Sequence, residues 1–319
     1  MIVDLPSTTT SAVNKKMVEL RESGGAVTLG RVLTLVIVTD DGGDTESAID
    51  AANDASREHP CRVIVLARGA RRAAARLDAQ IRVGGDAGAS EVIVLRMYGP
   101  LADQGASLTV PMLLPDTPVV AWWPGDAPPA PAEDPIGELA QRRITDAAVA
   151  RNPSKALAQR RASYADGDTD LAWSRLTLWR GLLAAALDQP PHEDVLRAVV
   201  GGAADSPSTD LMAGWLGWAL GAPVTRTRAD VAGGMESVRL VRRSGDVLLA
   251  RPSGTIGVLT QPGQPERRMA LPRRPLRDCL SEELRRLDPD EIYQAALAHL
   301  PEVRRGRAAT AGAKEKIPS

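Results

Sequence analysis

The chain has 319 residues, more than one hydrophobic core normally organises, so two domains are expected. Hydrophobic residues at 44% and charged residues at 25% are ordinary for a globular protein, and a formal net charge of −1 supplies no field to gather nucleic acid. No run approaches the ~18 apolar residues that cross a bilayer, and the opening MIVDLPSTTTSAVNKK lacks the order of a secretory leader, so a cytoplasmic protein with no membrane partner is expected.

Val13, Met17 and Leu20, four and three residues apart, predict an amphipathic helix from Ser7 to Glu22 capped by Ser7 or Thr8. Residues 1–25 thus read as an N-terminal helical arm, closed by Gly24-Gly25. Arg31 to Thr39 is a nearly continuous β-branched run, the signature of a strand covered on both faces. The turn Asp40-Asp-Gly-Gly43, a helix from Thr45 to Glu58 and a strand from Arg62 to Ala67 complete a βαβ unit. Further strands are predicted at Gln80–Gly84, Glu91–Met97 and Pro118–Trp123, with a helix from about Leu101 to Leu114 between the last two. Five prolines between Pro124 and Pro135 mark a surface loop, followed by a helix over Ile136–Arg143 and a strand at Ile144-Thr145. Residues 26–152 therefore read as an α/β domain with a largely parallel sheet. The boundary falls near Asn152–Gly167.

The second half opens with a long helix from Asp170 to Leu187, stopped by Pro190-Pro191. A strand at Val195–Val200 and a helix at Ser208–Leu220 precede strands at Ser237–Arg242, Asp246–Arg251, Thr255–Thr260 and Glu266–Leu271. Helices at Leu276–Leu287 and Pro289–His299 follow. Residues 153–303 read as an α+β domain with antiparallel strands, and 304–319 as a disordered tail.

The sequence offers little catalytic material. His59, His192 and His299 are isolated, each at an element boundary, and no metal-ligand spacing occurs. Cys61 and Cys279 stand alone and are expected to be plain thiols. Gly42-Gly43 occupies the place of a phosphate loop, but Asp40, Asp41 and Asp44 surround it and repel a phosphate. Val83 to Gly88 lacks the dinucleotide glycine order, and no Gly-x-Ser-x-Gly is present, so no cofactor is expected. One alternative stays open: a carboxylate site at the C-terminal edge of the first sheet, built from Asp40, Asp41 and the loop near Trp123, serving a sugar-phosphate or nucleotide sensor or enzyme. Only five of the 39 Lys and Arg residues are lysines, and most of the Arg doublets (71-72, 142-143, 160-161, 242-243, 267-268, 273-274, 285-286) read as solvated faces.

Six tryptophans come in pairs. Trp122 and Trp123 end a strand, and both can be core only if both faces of the sheet are covered; otherwise one is a surface anchor. Trp173, Leu176, Arg180 and Leu183 share a helical stripe with Trp179 beside it. Trp122, Trp123, Arg175 and Arg180 are therefore the candidates for a partner interface, while Asp170, Trp173, Leu176 and Trp179 form a structural motif. Trp215 and Trp218 read as core.

The string from Asp170 to Arg180 (DLAWSRLTLWR), with Leu113–Gly125, His59–Val65 and Leu211–Trp218, resembles the OpcA family, the glucose-6-phosphate dehydrogenase assembly proteins of actinobacteria and cyanobacteria. The resemblance runs from about residue 30 to about 300, and the scarce lysine fits an actinobacterial source. It implies a non-catalytic accessory protein that binds glucose-6-phosphate dehydrogenase, at the head of the oxidative pentose phosphate pathway, and activates or assembles it.

Overall fold

The computed structural model describes residues 1–23, 31–84, 91–230 and 233–306. Gly24-Gly25, the glycines at 85 and 88 and the tail beyond 306 lie outside them. The chain begins with β1 (Ile2–Leu5), α1 (Thr10–Ser23), β2 (Leu33–Asp40), α2 (Thr45–Ala55), β3 (Cys61–Arg68), β4 (Arg76–Arg82) and β5 (Glu91–Tyr98). It continues with α3 (Gly105–Thr109), β6 (Val119–Trp122), β7 (Arg142–Thr145), α4 (Pro153–Ala162), β8 (Asp168–Asp170), α5 (Leu171–Ser174) and α6 (Thr177–Leu187). Then come β9 (Arg197–Gly202), α7 (Pro207–Leu220), β10 (Val224–Arg228), β11 (Met235–Val241), β12 (Val247–Ala250), β13 (Ile256–Thr260) and β14 (Arg267–Ala270). The described chain ends with α8 (Leu276–Arg285), α9 (Glu291–Ala298) and β15 (Arg304–Gly306).

Two compact units form. The first gathers Met1–Arg151, Ala162–Leu171 and Pro275–Asp290; the second gathers Asn152–Arg161, Ala172–Arg274 and the chain from Glu291 onward.

The first unit is built on a sheet of order β1-β4-β5-β3-β2-β6-β7-β8 among the described residues. From β5 to β8 all neighbours are parallel, while β4 and β1 extend the sheet antiparallel. The unbroken hydrophobicity of β2 and β3 follows from burial on both faces. Leu33, Leu35 and Ile37 join the core of α2 and α8, whereas Val36 and Val38 join that of α1. Cys61 and Cys279 form no disulfide and are buried in the α2–α8 layer.

Several local expectations change here. The N-terminal segment is not an arm: β1 pairs with β4, and Val13, Met17 and Leu20 of α1 are buried in the sheet's core. Its cap is Thr9, whose hydroxyl accepts the Ala12 N–H at 3.2 Å. The helix expected over 101–114 is broken into short 3-10 and α turns, because Pro100 and Pro111 interrupt it. Gly99 (φ +64°) starts that stretch, and a Cβ there would lie 2.5 Å from the Ala73 carbonyl oxygen. No helix forms over 136–143 either; Gly137 lies so tightly on the Pro131 carbonyl that a side chain is excluded, and β7 begins at Arg142. The helix expected after Pro275 belongs with the first sheet as α8, not with the second half.

The second unit carries a sheet of order β14-β13-β12-β11-β9-β10-β15. Its β11 to β14 are antiparallel, and β9, β10 and β15 run parallel. The fold class is therefore the expected one, an α/β unit with a largely parallel sheet beside an α+β unit. Residues 304–306 are a strand rather than tail. The Asp170–Leu187 helix is divided, since Asp168–Asp170 completes the first sheet and the helix restarts at Thr177. Helix α7 is sharply bounded: the Ser206 hydroxyl accepts the Thr209 N–H, Pro207 follows at the first position, and Gly221 (φ +59°) ends it.

Most arginines of the doublets are exposed, as expected of solvated faces, but the 142-143 doublet is buried and, with Arg62 and Arg226, holds structure in both units. Arg62 pairs with Glu91 at 3.0 Å, Arg142 with Glu283 at 2.5 Å, Arg143 with Asp168 at 2.5 Å, and Arg226 with Asp210 at 2.9 Å. All eight side chains are buried or nearly so, and each pair fastens segments distant in sequence. A planar guanidinium with five donors can satisfy a carboxylate and neighbouring carbonyls together, as Arg143 does with Ala140 and Asp166.

Candidate functional site

The segment from Asp170 to Arg180 is a packed structure at every position it fixes. Asp170 is fully buried at the end of β8, where its carboxylate accepts the Thr145 hydroxyl at 2.7 Å and the Ala147 N–H at 2.9 Å. It thereby ties down the loop that leaves β7. Trp173, Leu176 and Trp179 are buried in the second unit. The half-buried Arg180 guanidinium lies 3.8 Å over the Trp173 ring, whose other neighbour is Tyr293 at 6.0 Å, tilted by 47°. Arg251 stands 5.3 Å over Trp179 and donates to the carbonyls of Met235 and Leu271. Burial, helped by nearby Arg273, lowers the Arg251 pKa. Arg175 is half-buried. Of the arginines that sequence offered as anchors, Arg180 thus lies on the packed aromatic group.

Trp122 and Trp123 are 0% and 1% exposed, one on each face of the first sheet. Both faces are covered, so neither is available as a surface anchor. Their indole N–H groups have no hydrogen-bond partner. The exposed tryptophan is Trp218, at 45%, with Trp215 half-buried on the same side of α7. This reverses the core assignment, and glycines explain it. Gly214 and Gly217 turn toward α9, where a Cβ at Gly217 would sit 2.5 Å from the His299 ring. The helix buries its smallest side chains and leaves its largest at the surface.

The C-terminal rim of the first sheet deserves the same scrutiny because strand order reverses there. The chain runs from β2 outward to β3 and β5, then returns to β6, β7 and β8 on the other side. Such a reversal is the common ligand position of open α/β sheets. At this point the chain presents the exposed loop from Asp40 to Asp44. Asp41 accepts the Tyr98 hydroxyl at 2.7 Å and faces Arg96 at 3.8 Å, while Arg76 lies 4.3 Å over the Tyr98 ring. The bond to Asp41 raises the Tyr98 pKa, so the phenol holds its proton. Across the reversal, Asp126 accepts the Arg151 N–H and Asp146 the Ala148 N–H. These carboxylates fasten loops. A cavity of about 400 Å³ opens beside Tyr98, lined mainly by Ala73, Ala74, Ala75 and Thr8, with Arg76 its only cation and already paired to Asp78 at 3.0 Å. Among the described residues no group of three or more His, Cys, Asp or Glu side chains could hold a metal ion, and no helix is long and apolar enough to cross a membrane.

Sequence reasoning missed β10 and the outward face of the second sheet, where most side chains are half-buried or exposed. The signal available was the run of Val, Thr, Ser and Ala at alternate strand positions.

A doubly wound α/β unit joined to an α+β unit, with a tryptophan–arginine stack in the latter, defines a two-unit α/β protein whose distinctive polar side chains hold structure. Residues 52–162 match the family described as the glucose-6-phosphate dehydrogenase subunit N-terminal domain, and residues 166–297 match the corresponding C-terminal domain. The chain belongs to this OpcA family of glucose-6-phosphate dehydrogenase assembly proteins. No curated protein matches it. Among solved structures, that of KijD10, a 3-ketoreductase from Actinomadura kijaniata in complex with NADP, covers 87% of this chain and 99% of its own at 9% identity, with a TM-score of 0.39. At that distance no function transfers.

Proposed function

We propose that this chain is a non-catalytic accessory subunit that binds glucose-6-phosphate dehydrogenase in the cytoplasm and favours its active form. The observation that carries the reading is the match of both halves of the chain, in order, to the two domains of a glucose-6-phosphate dehydrogenase subunit. Activation of this kind requires tighter binding to the active dehydrogenase than to the inactive one; equal affinity shifts nothing. A tenfold effect needs a preference of only ~1.4 kcal/mol.

The test mixes the purified chain with purified dehydrogenase. A rise in kcat/KM for glucose 6-phosphate, or a larger sedimenting species, supports the reading; neither change defeats it. A second reading, a metabolite sensor at the strand-order reversal of the first sheet, is favoured by that reversal and opposed by its acidic loop. Calorimetry of the chain alone against glucose 6-phosphate, 6-phosphogluconate and NADP separates the two, since the subunit reading expects no heat.

A further inference from the structure

The second sheet is covered on one side only. Residues paired across neighbouring strands share a face, so register sorts its side chains without ambiguity. One row runs Arg226, Val200, Val238, Leu249, Leu259 from β10 to β13, and every member is buried. Helix α7 lies on this side: a Cβ on Gly202 would run into the Thr209 side chain, and one on Gly217 would touch Val224.

The opposite rows behave differently. Thr227, Gly201, Ser237, Ala250 and Val258 align from β10 to β13, and Gly306 and Arg268 extend the row to β15 and β14. Close approach confirms the shared face, since a Cβ on Gly201 would lie 2.7 Å from the Ser237 hydroxyl and 3.6 Å from that of Thr227. The adjacent row runs Thr225, Val199, Arg239, Leu248, Thr260. Apart from Gly201, every residue of these two rows is half-exposed or exposed.

Three properties of this face fit a docking surface. It is flat, with no side chain larger than valine between Gly306 and Arg268 in the first row. It is wide enough: seven strands ~4.8 Å apart, each three to seven residues long at ~3.3 Å, project roughly 500 Å², the scale of one side of a standard interface at roughly 800 Å² of accessible surface. Its middle holds Val, Leu, Ala, Ser and Thr with two charged side chains, Arg239 and the Glu236 that reaches over Gly201, and sparse charge marks the centre of protein interfaces.

Charge selects the occupant. The strand positions that face outward include four arginines, Arg197, Arg239, Arg268 and Arg304, against one carboxylate within a strand, Glu236 of the β11 bulge. The nearby carboxylates are Glu236, which reaches toward Gly201 from the β11 bulge, and Asp246, which pairs with Arg239 at 3.2 Å. A second copy of the chain would set this net positive face against itself. We propose that the open face of the second sheet docks a protein partner presenting a flat, small-residue surface bordered by carboxylates, and, resting on the function proposed above, that this partner is glucose-6-phosphate dehydrogenase.

The experiment measures the Kd between the full chain and the purified dehydrogenase of the same organism, by calorimetry and sedimentation. Val258→Arg and Thr227→Arg each plant a long cation in the small-residue row and are expected to weaken binding at least tenfold while Tm stays within a degree or two of wild type. Trp218→Ala, on the far helix, leaves Kd unchanged. Should either arginine variant melt early, Arg268→Glu at the exposed edge carries the test, with a several-fold loss and a weaker salt dependence expected. Equal binding by wild type and all face variants overturns the surface and leaves the partner standing. A wild-type chain that pairs with itself, and separates on Val258→Arg, overturns the choice of occupant. No binding by the wild-type chain removes the proposed function, and this docking with it.

Discussion

The two sheets differ in how many faces they cover. In the first, neighbouring residues on β6 both vanish: Trp122 meets the α2–α8 core and Trp123 the α1 core. In the second, neighbours on β12 part company, Leu249 being fully buried and Leu248 half-exposed. The lesson concerns how a strand sequence is read. Continuous hydrophobicity in the first sheet reports two covered faces. Weaker, small-residue alternation in the second reports one covered face and one that water or a partner must cover.

Trp122→Ala tests the closed sheet and carries the largest effect. Removing the indole leaves a cavity in a core that cannot collapse, at a cost of ~3–5 kcal/mol; a urea melt giving less than about 1 kcal/mol would show the layer to be loosely packed. The β12 pair sharpens the contrast further. Leu249→Ala should cost ~2–5 kcal/mol, and Leu248→Ala about 1 kcal/mol or less, so equal losses would mean the outward face is covered after all. Arg180→Ala comes next, removing the stack on Trp173 and costing ~0.5–2 kcal/mol, with a change in tryptophan emission as the independent reading.

The smallest effect concerns Glu46, whose pKa is lowered by its hydrogen bond to Arg82 on β4 at 2.7 Å. A carboxylate with a depressed folded-state pKa stabilises above its unfolded value and loses that contribution as pH falls through the folded one. Wild type should therefore be slightly more stable than Glu46→Gln at neutral pH, and the gap should close below the ordinary value of 4.5. Because Glu46 is well exposed, solvent screens the pair and the gap is small.

Much of the first sheet was legible because its information is local. The β-branched run before Asp40, the turn glycines and the helix after Thr45 each announce themselves within ten residues. What escaped depends on distance. Nothing near Cys279 says that α8 will cover Ile49 and Cys61, more than 200 residues earlier. Nothing within the Asp170–Leu187 pattern says that Asp170 is needed by Thr145 and so must leave the helix. One arginine doublet departs from the solvated-face reading for the same reason: Arg142 and Arg143 look like solvated charge until Glu283 and Asp168 are brought beside them. Trp218 shows the converse error, since its apolar surroundings in sequence suggested core while two glycines had already taken the packed side. The family string was readable from sequence; its Asp170, Trp173, Leu176 and Trp179 are buried fastenings, while Arg175 and Arg180 keep part of their surface.

The position of α8 has a consequence for how the protein is made. Its residues 276–285 seal a layer whose strands lie between residues 33 and 145, so the growing chain leaves that layer bare until α8 itself has been made. A ribosome stalled earlier, or a gene cut after the first half, would release Leu35, Ile49 and Val63 to water and to chaperones, and the N-terminal piece should be insoluble unless the missing helix is supplied in trans.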